Sequence, residues 1–156
     1  MNIINTGVTN NPDGDFIKWD PKLKIGIPQI DQQHETLVNM CNDFYQSLLQ
    51  NNNSDDYKEI VRETLEKCMN YAATHFKDEE KFMLASNFPG YKAHKISHDS
   101  FVEQVELTYN DLEHLPIGEA IKFAHFLYNW IQNHIAYEDR LYLPNLMEFL
   151  KSKASK

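Results

Sequence analysis

The chain has 156 residues, is 42% apolar and contains only five Gly and six Pro; that is enough to bury about two-thirds of the unfolded surface in one core, and it excludes a fibrous or disordered class while favouring helices over a turn-rich β fold. Fifteen basic residues stand against 23 acidic ones, formally −8, and the few basic clusters fall in the C-terminal tail, so no nucleic-acid partner is expected. Met1 to Gly7 has neither a basic start nor an apolar run and no stretch approaches a membrane span, so neither a secretory leader nor membrane insertion is expected; Cys41 and Cys68 lie in apolar helical patterns and are read as buried free thiols in a reducing, cytoplasmic setting.

Residues 1–29 carry Asn10-Asn11-Pro12-Asp13-Gly14, Pro21 and Pro28 without a helical period and read as an extended arm, packed on a core through Phe16, Trp19, Ile25 and Ile27. Asp31 then caps a first helix whose inward stripe is His34, Leu37, Cys41, Phe44 and Leu48. After the turn at Asn51-Asn52-Asn53-Ser54, Asp55 and Asp56 suit the positive end of a second helix with the stripe Val61, Leu65, Cys68, Ala72, His75, Glu79 and Phe82. Asn87-Phe88-Pro89-Gly90 stops it. The third helix begins near Tyr91 with His94, His98, Phe101, Val105, Thr108 and Leu112 inward, and Leu115-Pro116-Ile117-Gly118 breaks the chain again. The fourth starts at about Glu119 with Ala120, Ala124, Leu127, Ile131 and His134 in phase; Pro144 ends it or bends the chain into a short tail around Leu146 to Leu150. The expected fold is all-α: an up-and-down antiparallel four-helix bundle (about 30–144) in a single domain, with an extended N-terminal arm (1–29) and a short C-terminal helix in the tail (145–156).

The chemistry sits in His75-Phe76-Lys77-Asp78-Glu79 and in His94-Lys95-Ile96-Ser97-His98, each with two metal-type side chains four residues apart, hence on one helix face. His34 lies early in the first helix, His75 late in the second, His94 early in the third and His134 late in the fourth, so antiparallel packing brings all four to one end of the bundle. A lone histidine on an apolar face is usually a satisfied core residue. Five imidazoles with the carboxylates of Glu79 and Asp139 at one level are different, because unpaired buried charges cost several kcal/mol each and a cation removes that cost. Seven ligands suit two ions, and imidazole with carboxylate and no thiolate suits iron ahead of manganese or zinc. His114, at a breaker, and His125, half a turn out of phase with His134, are read as solvated.

In this order and spacing the motifs resemble those of a hemerythrin, and within that family the single-domain bacteriohemerythrin type: His34 in Asp31-Gln32-Gln33-His34, His-x3-Glu, His-x3-His and His-x4-Asp, over roughly residues 16–145. The resemblance implies two iron ions with a bridging oxo or hydroxo group: His94, His98 and His134 on one iron, His34 and His75 on the other, Glu79 and Asp139 bridging both. It also implies an oxygen pocket near Phe76, Ile131 and Ile135. The function implied is reversible dioxygen binding, for storage, transport or delivery to an oxygen-consuming enzyme, by a non-enzymatic protein; the alternatives are a di-iron oxidase or peroxidase and an oxygen or iron sensor, and an acidic chain without an evident extra apolar stripe reads as a monomer. Helical phase alone would select Glu138, whereas the family pattern selects Asp139, about 140° around a regular helix from His134. A widened, π-like turn or a local bend between Asn133 and Leu141 is therefore expected.

Overall fold

The computed structural model describes residues 16–51 and 55–155, and the described residues are helical with no strand. Six α-helices follow in order: α1 (Pro28–Gln50), α2 (Tyr57–Tyr71), α3 (Lys77–Ala85), α4 (Tyr91–Asn110), α5 (Ile117–Trp130) and α6 (Leu143–Ala154). A π-helical turn, Ala72–Phe76, joins α2 to α3 as one rod, and a second, Ile131–Ile135, extends α5. With α1 against α2 and α5, and α2 against α4, the four legs make the expected bundle, while α6 packs on α3. No described helix is long and apolar enough to cross a membrane.

The inward stripes of α1, α4 and α5 are buried as their periodicity requires. On the second leg Val61 to Glu79 are buried too, but the last position differs. Met83 is fully buried and Phe82 only half-buried, so the stripe slips by one residue. The cause is the π turn, which inserts about one residue into the helical repeat, so that the inward face beyond Glu79 falls on Met83.

Helix starts also shift. Pro28 opens α1 at the position where a fixed φ and a missing N–H cost nothing. Asp31, now inside the first turn, accepts from the backbone N–H groups of Ile25 (2.7 Å) and Gly26 (3.2 Å), tying the arm down instead of capping its own helix. Between α3 and α4, Asn87 takes a left-handed φ of 53°, and Gly90 approaches Phe88 so closely that a Cβ would meet the ring at 2.6 Å.

The arm crosses the bundle. Asn42 holds both backbone groups of Ile17, its Oδ1 accepting at 2.6 Å and its Nδ2 donating at 2.7 Å, while Phe16 stacks on Tyr45 at 4.1 Å. Phe16 also meets His125 edge-on at 5.4 Å, so His125 is half-buried beneath the arm and not solvated as its phase suggested; His114 is exposed. At the ligand end Ile25, Ile30, Met83, Tyr142 and Leu146 form a second small core, in which arm and α6 together close the bundle.

The Arg140 guanidinium donates to three arm carbonyls: Pro21 (3.4 Å), Lys22 (2.7 and 3.0 Å) and Lys24 (2.8 Å). Burial of Phe16, Ile17, Leu23 and Ile25, each contributing about 1.5–3 kcal/mol, outweighs this exposed clamp. Arg140→Ala should accordingly speed amide hydrogen exchange around residues 21–26 without releasing the arm. Exchange at wild-type rates would show that the clamp contributes nothing.

Candidate metal centre

All seven residues singled out from the sequence, His34, His75, Glu79, His94, His98, His134 and Asp139, meet at one end of the bundle, and each is at most 5% exposed. Their ligand atoms form two overlapping groups whose members lie within 4.8 Å of one another: Glu79, His94, His98, His134 and Asp139 in one; His34, His75, Glu79 and Asp139 in the other. The two carboxylates are common to both. Every imidazole turns Nε2 inward. Asp139 Oδ1 lies 2.9 Å from His134 and 3.1 Å from His94, and its Oδ2 lies 3.0 Å from His34; Glu79 Oε2 lies 3.1 Å from His98, 3.3 Å from His75 and 3.6 Å from His94.

These close approaches are mostly not hydrogen bonds. Nε2 of His75, His94 and His134, together with Asp139 Oδ1, is buried with no hydrogen-bonding partner among the described residues. Leaving such atoms orphaned costs about 1–3 kcal/mol each, more if charged. Imidazole nitrogens that converge on two carboxylates without hydrogen-bonding partners form an arrangement that a cation would satisfy, and this donor set of imidazole and carboxylate without thiolate fits a metal site.

Two breaks in helical regularity put the carboxylate in place. The Ala136 N–H donates to Ile131 O at 3.1 Å, an i to i+5 bond that widens the turn carrying His134. Tyr137 then leaves the helix (φ −124°, ψ −62°) and a 3-10 turn, Glu138–Arg140, follows. The widening expected between Asn133 and Leu141 is thus present, starting two residues earlier, with the bend at Tyr137. Glu138, the residue favoured by phase, is used as well: its Oε2 lies 2.6 Å from His134 Nδ1, while Asp139 faces Nε2 of the same ring.

The outer faces of the imidazoles are held individually. His34 Nδ1 donates to Leu23 O (3.0 Å), His75 Nδ1 to Gln33 Oε1 (2.6 Å) and His98 Nδ1 to Glu80 Oε1 (3.0 Å). Tyr142 donates its hydroxyl to Glu79 Oε1 at 3.0 Å, leaving Oε2 for the centre. Tyr71 stacks on His75 (4.9 Å), Phe76 on His98 (3.9 Å) and Trp130 on His134 (4.0 Å). Periodicity did not reveal Gln33, Glu80, Tyr142 or Trp130 as site residues. Only their adjacency to ligands, at His34−1, Glu79+1, Asp139+3 and His134−4, hinted at them. Of the three residues expected near an oxygen pocket, Phe76 lies against His98, and Ile131 and Ile135 are fully buried in the main core. A surface cleft of about 570 Å³ between α1 and α2 reaches His75, lined also by Gln33, Met40, Lys67, Tyr71 and Thr74.

In the metal-free chain, burial alone would lower His94 and His134, but the carboxylates of Asp139 and Glu79, with Glu138 for His134, raise both to about 9. Burial likewise acts to raise Glu79, and the surrounding imidazoles outweigh it, holding the carboxyl at about 2. The histidine contribution is therefore full below the ordinary value of 6.5 and is lost as pH rises through about 9; the Glu79 contribution is present above 4.5 and lost as pH falls through about 2. A cation must displace the imidazole protons. Divalent-ion binding at pH 7 should release protons, and apparent affinity should climb until about pH 9. Calorimetry in buffers of different ionisation enthalpy checks this; binding without proton release would contradict it.

Comparison with known proteins agrees with this geometry. At the level of fold, a crystal structure of wild-type hemerythrin superposes with a TM-score of 0.67 at 24% identity, covering 83% of this chain and 97% of that one. A bacteriohemerythrin from Clostridium acetobutylicum is 28% identical over 126 residues, 80% of this chain and 97% of its own length. One from Methylococcus capsulatus is 32% identical over 120 residues (74% and 85%), and hemerythrin subunit 1 of Golfingia vulgaris is 29% identical over 117 residues (75% and 82%). The family model of the hemerythrin HHE cation binding domain matches residues 25–146, which spans every residue of the centre, and the chain belongs to that family.

Proposed function

We propose that the protein binds dioxygen reversibly at a non-haem di-iron centre, with His94, His98 and His134 holding one iron, His34 and His75 the other, and Glu79 and Asp139 bridging the two with an oxo or hydroxo group. The observation that carries this is the division of the seven ligands into two groups that share both carboxylates, one with three imidazoles and one with two. The two-imidazole group offers one protein ligand fewer, so an ion held there would have room for a small molecule. Two ferrous ions, if held by these residues, would supply the redox chemistry that dioxygen binding requires.

The protein's own groups set the conditions. Outward hydrogen bonds fix the ring of each of His34, His75 and His98 with Nε2 inward, so these three rings are held in place before a small molecule enters. Tyr142 occupies the outer oxygen of Glu79, and Ile131 and Ile135, both fully buried, keep water from the surrounding core. Five imidazoles against two carboxylates give fewer anionic ligands to stabilise high-valent iron, which favours binding over oxidation and a non-enzymatic role. Burial of Cys41 and Cys68, which pushes the Cys68 thiol up to about 12, suits a reducing, cytoplasmic setting. A single acidic chain with no further apolar stripe suits a monomer that stores oxygen or delivers it to an oxygen-consuming enzyme.

The test is anaerobic iron(II) titration followed by air. Two irons per chain, a nearly colourless reduced form and a visible absorption band on oxygenation are expected. One iron per chain, or no band, would overturn the reading. Ile131→Asn or Ile135→Asn should admit water and hasten irreversible oxidation several-fold.

A further inference from the structure

The outer partners of the imidazoles are of two kinds. His98 and His134 face carboxylates, Glu80 at 3.0 Å and Glu138 at 2.6 Å. His34 and His75 face neutral acceptors, the Leu23 carbonyl at 3.0 Å and the Gln33 side-chain amide at 2.6 Å. Both carboxylate contacts belong to the three-imidazole group, at two of its three rings, and both neutral acceptors belong to the two-imidazole group. A carboxylate on the outer nitrogen makes an imidazole a stronger donor toward a metal, whereas a neutral acceptor orients the ring with less electron donation.

The Gln33 amide cannot turn over. Its Nε2 donates to Asp78 Oδ2 at 2.8 Å, and Gln29, one turn earlier on α1, donates to the same oxygen at 2.9 Å. Because that carboxylate only accepts, Oε1 must be the atom facing His75. His75 Nδ1 must then carry a hydrogen, which leaves Nε2 as the nitrogen aimed inward, where it has no hydrogen-bonding partner. The negative charge of Asp78 is thereby held one amide away from the ring.

We propose that Gln33, oriented by Asp78, is a positioning residue that fixes the His75 tautomer and gives His75 a neutral outer partner, while His98 and His134 in the other half sit against carboxylates. Unequal partners would make the two halves unequal in electron donation, with the His34/His75 half favouring an oxidised ion less. This rests on the di-iron reading above.

Two variants separate the two roles of Gln33. Gln33→Leu removes the acceptor, while Q33E/D78N keeps hydrogen bonds among His75, residue 33 and residue 78 and moves the formal charge onto the partner of His75. Zinc(II), diamagnetic, serves as the probe for affinity and for the ring-nitrogen resonances of His75; the midpoint potential of the iron-loaded protein reports electron density. Gln33→Leu should weaken the second zinc about 10–100-fold and release the His75 tautomer, while Q33E/D78N should bind both zinc ions within about threefold of wild type. The double variant should also have a lower midpoint potential and oxidise in air several-fold faster. Wild-type zinc affinity and an unchanged His75 resonance in Gln33→Leu, or a wild-type potential in Q33E/D78N, would overturn the proposal. Failure of the wild-type protein to take two ions would instead overturn the di-iron reading.

Discussion

Loading the metal-free protein with iron(II) under anaerobic conditions should raise its thermal midpoint by a margin far larger than any surface substitution produces. Without metal, five imidazoles crowd around only two carboxylates, and Nε2 of His75, His94 and His134 has no hydrogen-bonding partner. An ion that binds only the folded chain stabilises it by about 4 kcal/mol per site at a thousandfold excess over its dissociation constant. For a chain of this size that corresponds to roughly 8–16 °C per site, at about 2–4 °C per kcal/mol. The gain should be uneven. Amide exchange should slow most in the π turns Ala72–Phe76 and Ile131–Ile135 and the 3-10 turn Glu138–Arg140, which carry ligands, and least around Leu48 and Leu112 at the far end. Equal midpoints with and without iron would contradict a metal-centred fold.

Why the cluster of seven candidate ligands was readable from sequence, and its surroundings were not, follows from what periodicity encodes. A helix face records which residues point inward, so His34, His75, His94, His98 and His134 appeared in phase with Leu37, Cys68, Phe101 and Leu127. The antiparallel order then put them at one depth. Periodicity assumes a constant repeat, and both π turns break it. The one near His134 could be inferred because Asp139 was out of phase with a pattern that required it. The one at Ala72–Phe76 left no such conflict, since His75 and Glu79 keep a four-residue spacing across it, and it showed only downstream, where Met83 replaces Phe82 in the core. Outer partners such as Gln33 and Glu80 look in sequence like ordinary polar residues on a helix flank. Their role depends on a neighbouring helix, which no single stripe describes. His125 was misjudged for the same reason, because the arm that covers it with Phe16 arrives from more than a hundred residues away.

Removing the shared aspartate should be the most damaging single change to metal binding. Asp139 contacts imidazoles of both groups, with Oδ1 near His94 and His134 and Oδ2 on His34 at 3.0 Å. Asp139→Ala deletes a ligand from both ions at once and leaves the inner nitrogen of His34 unpartnered. Loss of even an outer partner costs about 10–100-fold in affinity, and a bridging ligand should cost more. Less than one iron per chain is expected after desalting, against two for the unaltered protein. His114→Ala, at an exposed position, should retain both irons. It is a better control than His125→Ala, which would disturb Phe16 and the arm. Asp139→Ala protein that keeps two irons would remove Asp139 from the centre and direct attention to Glu138.

The most direct test of reversible dioxygen binding is repeated oxygen cycling of the iron-loaded protein, with gas uptake, the visible band and hydrogen peroxide released into solution followed together. One dioxygen per two irons, a band that appears in air and fades under argon over many cycles, and little free peroxide are the predicted result. A band that does not reverse, or stoichiometric peroxide or water formation with turnover of an added reductant, would contradict it and make the protein an oxidase.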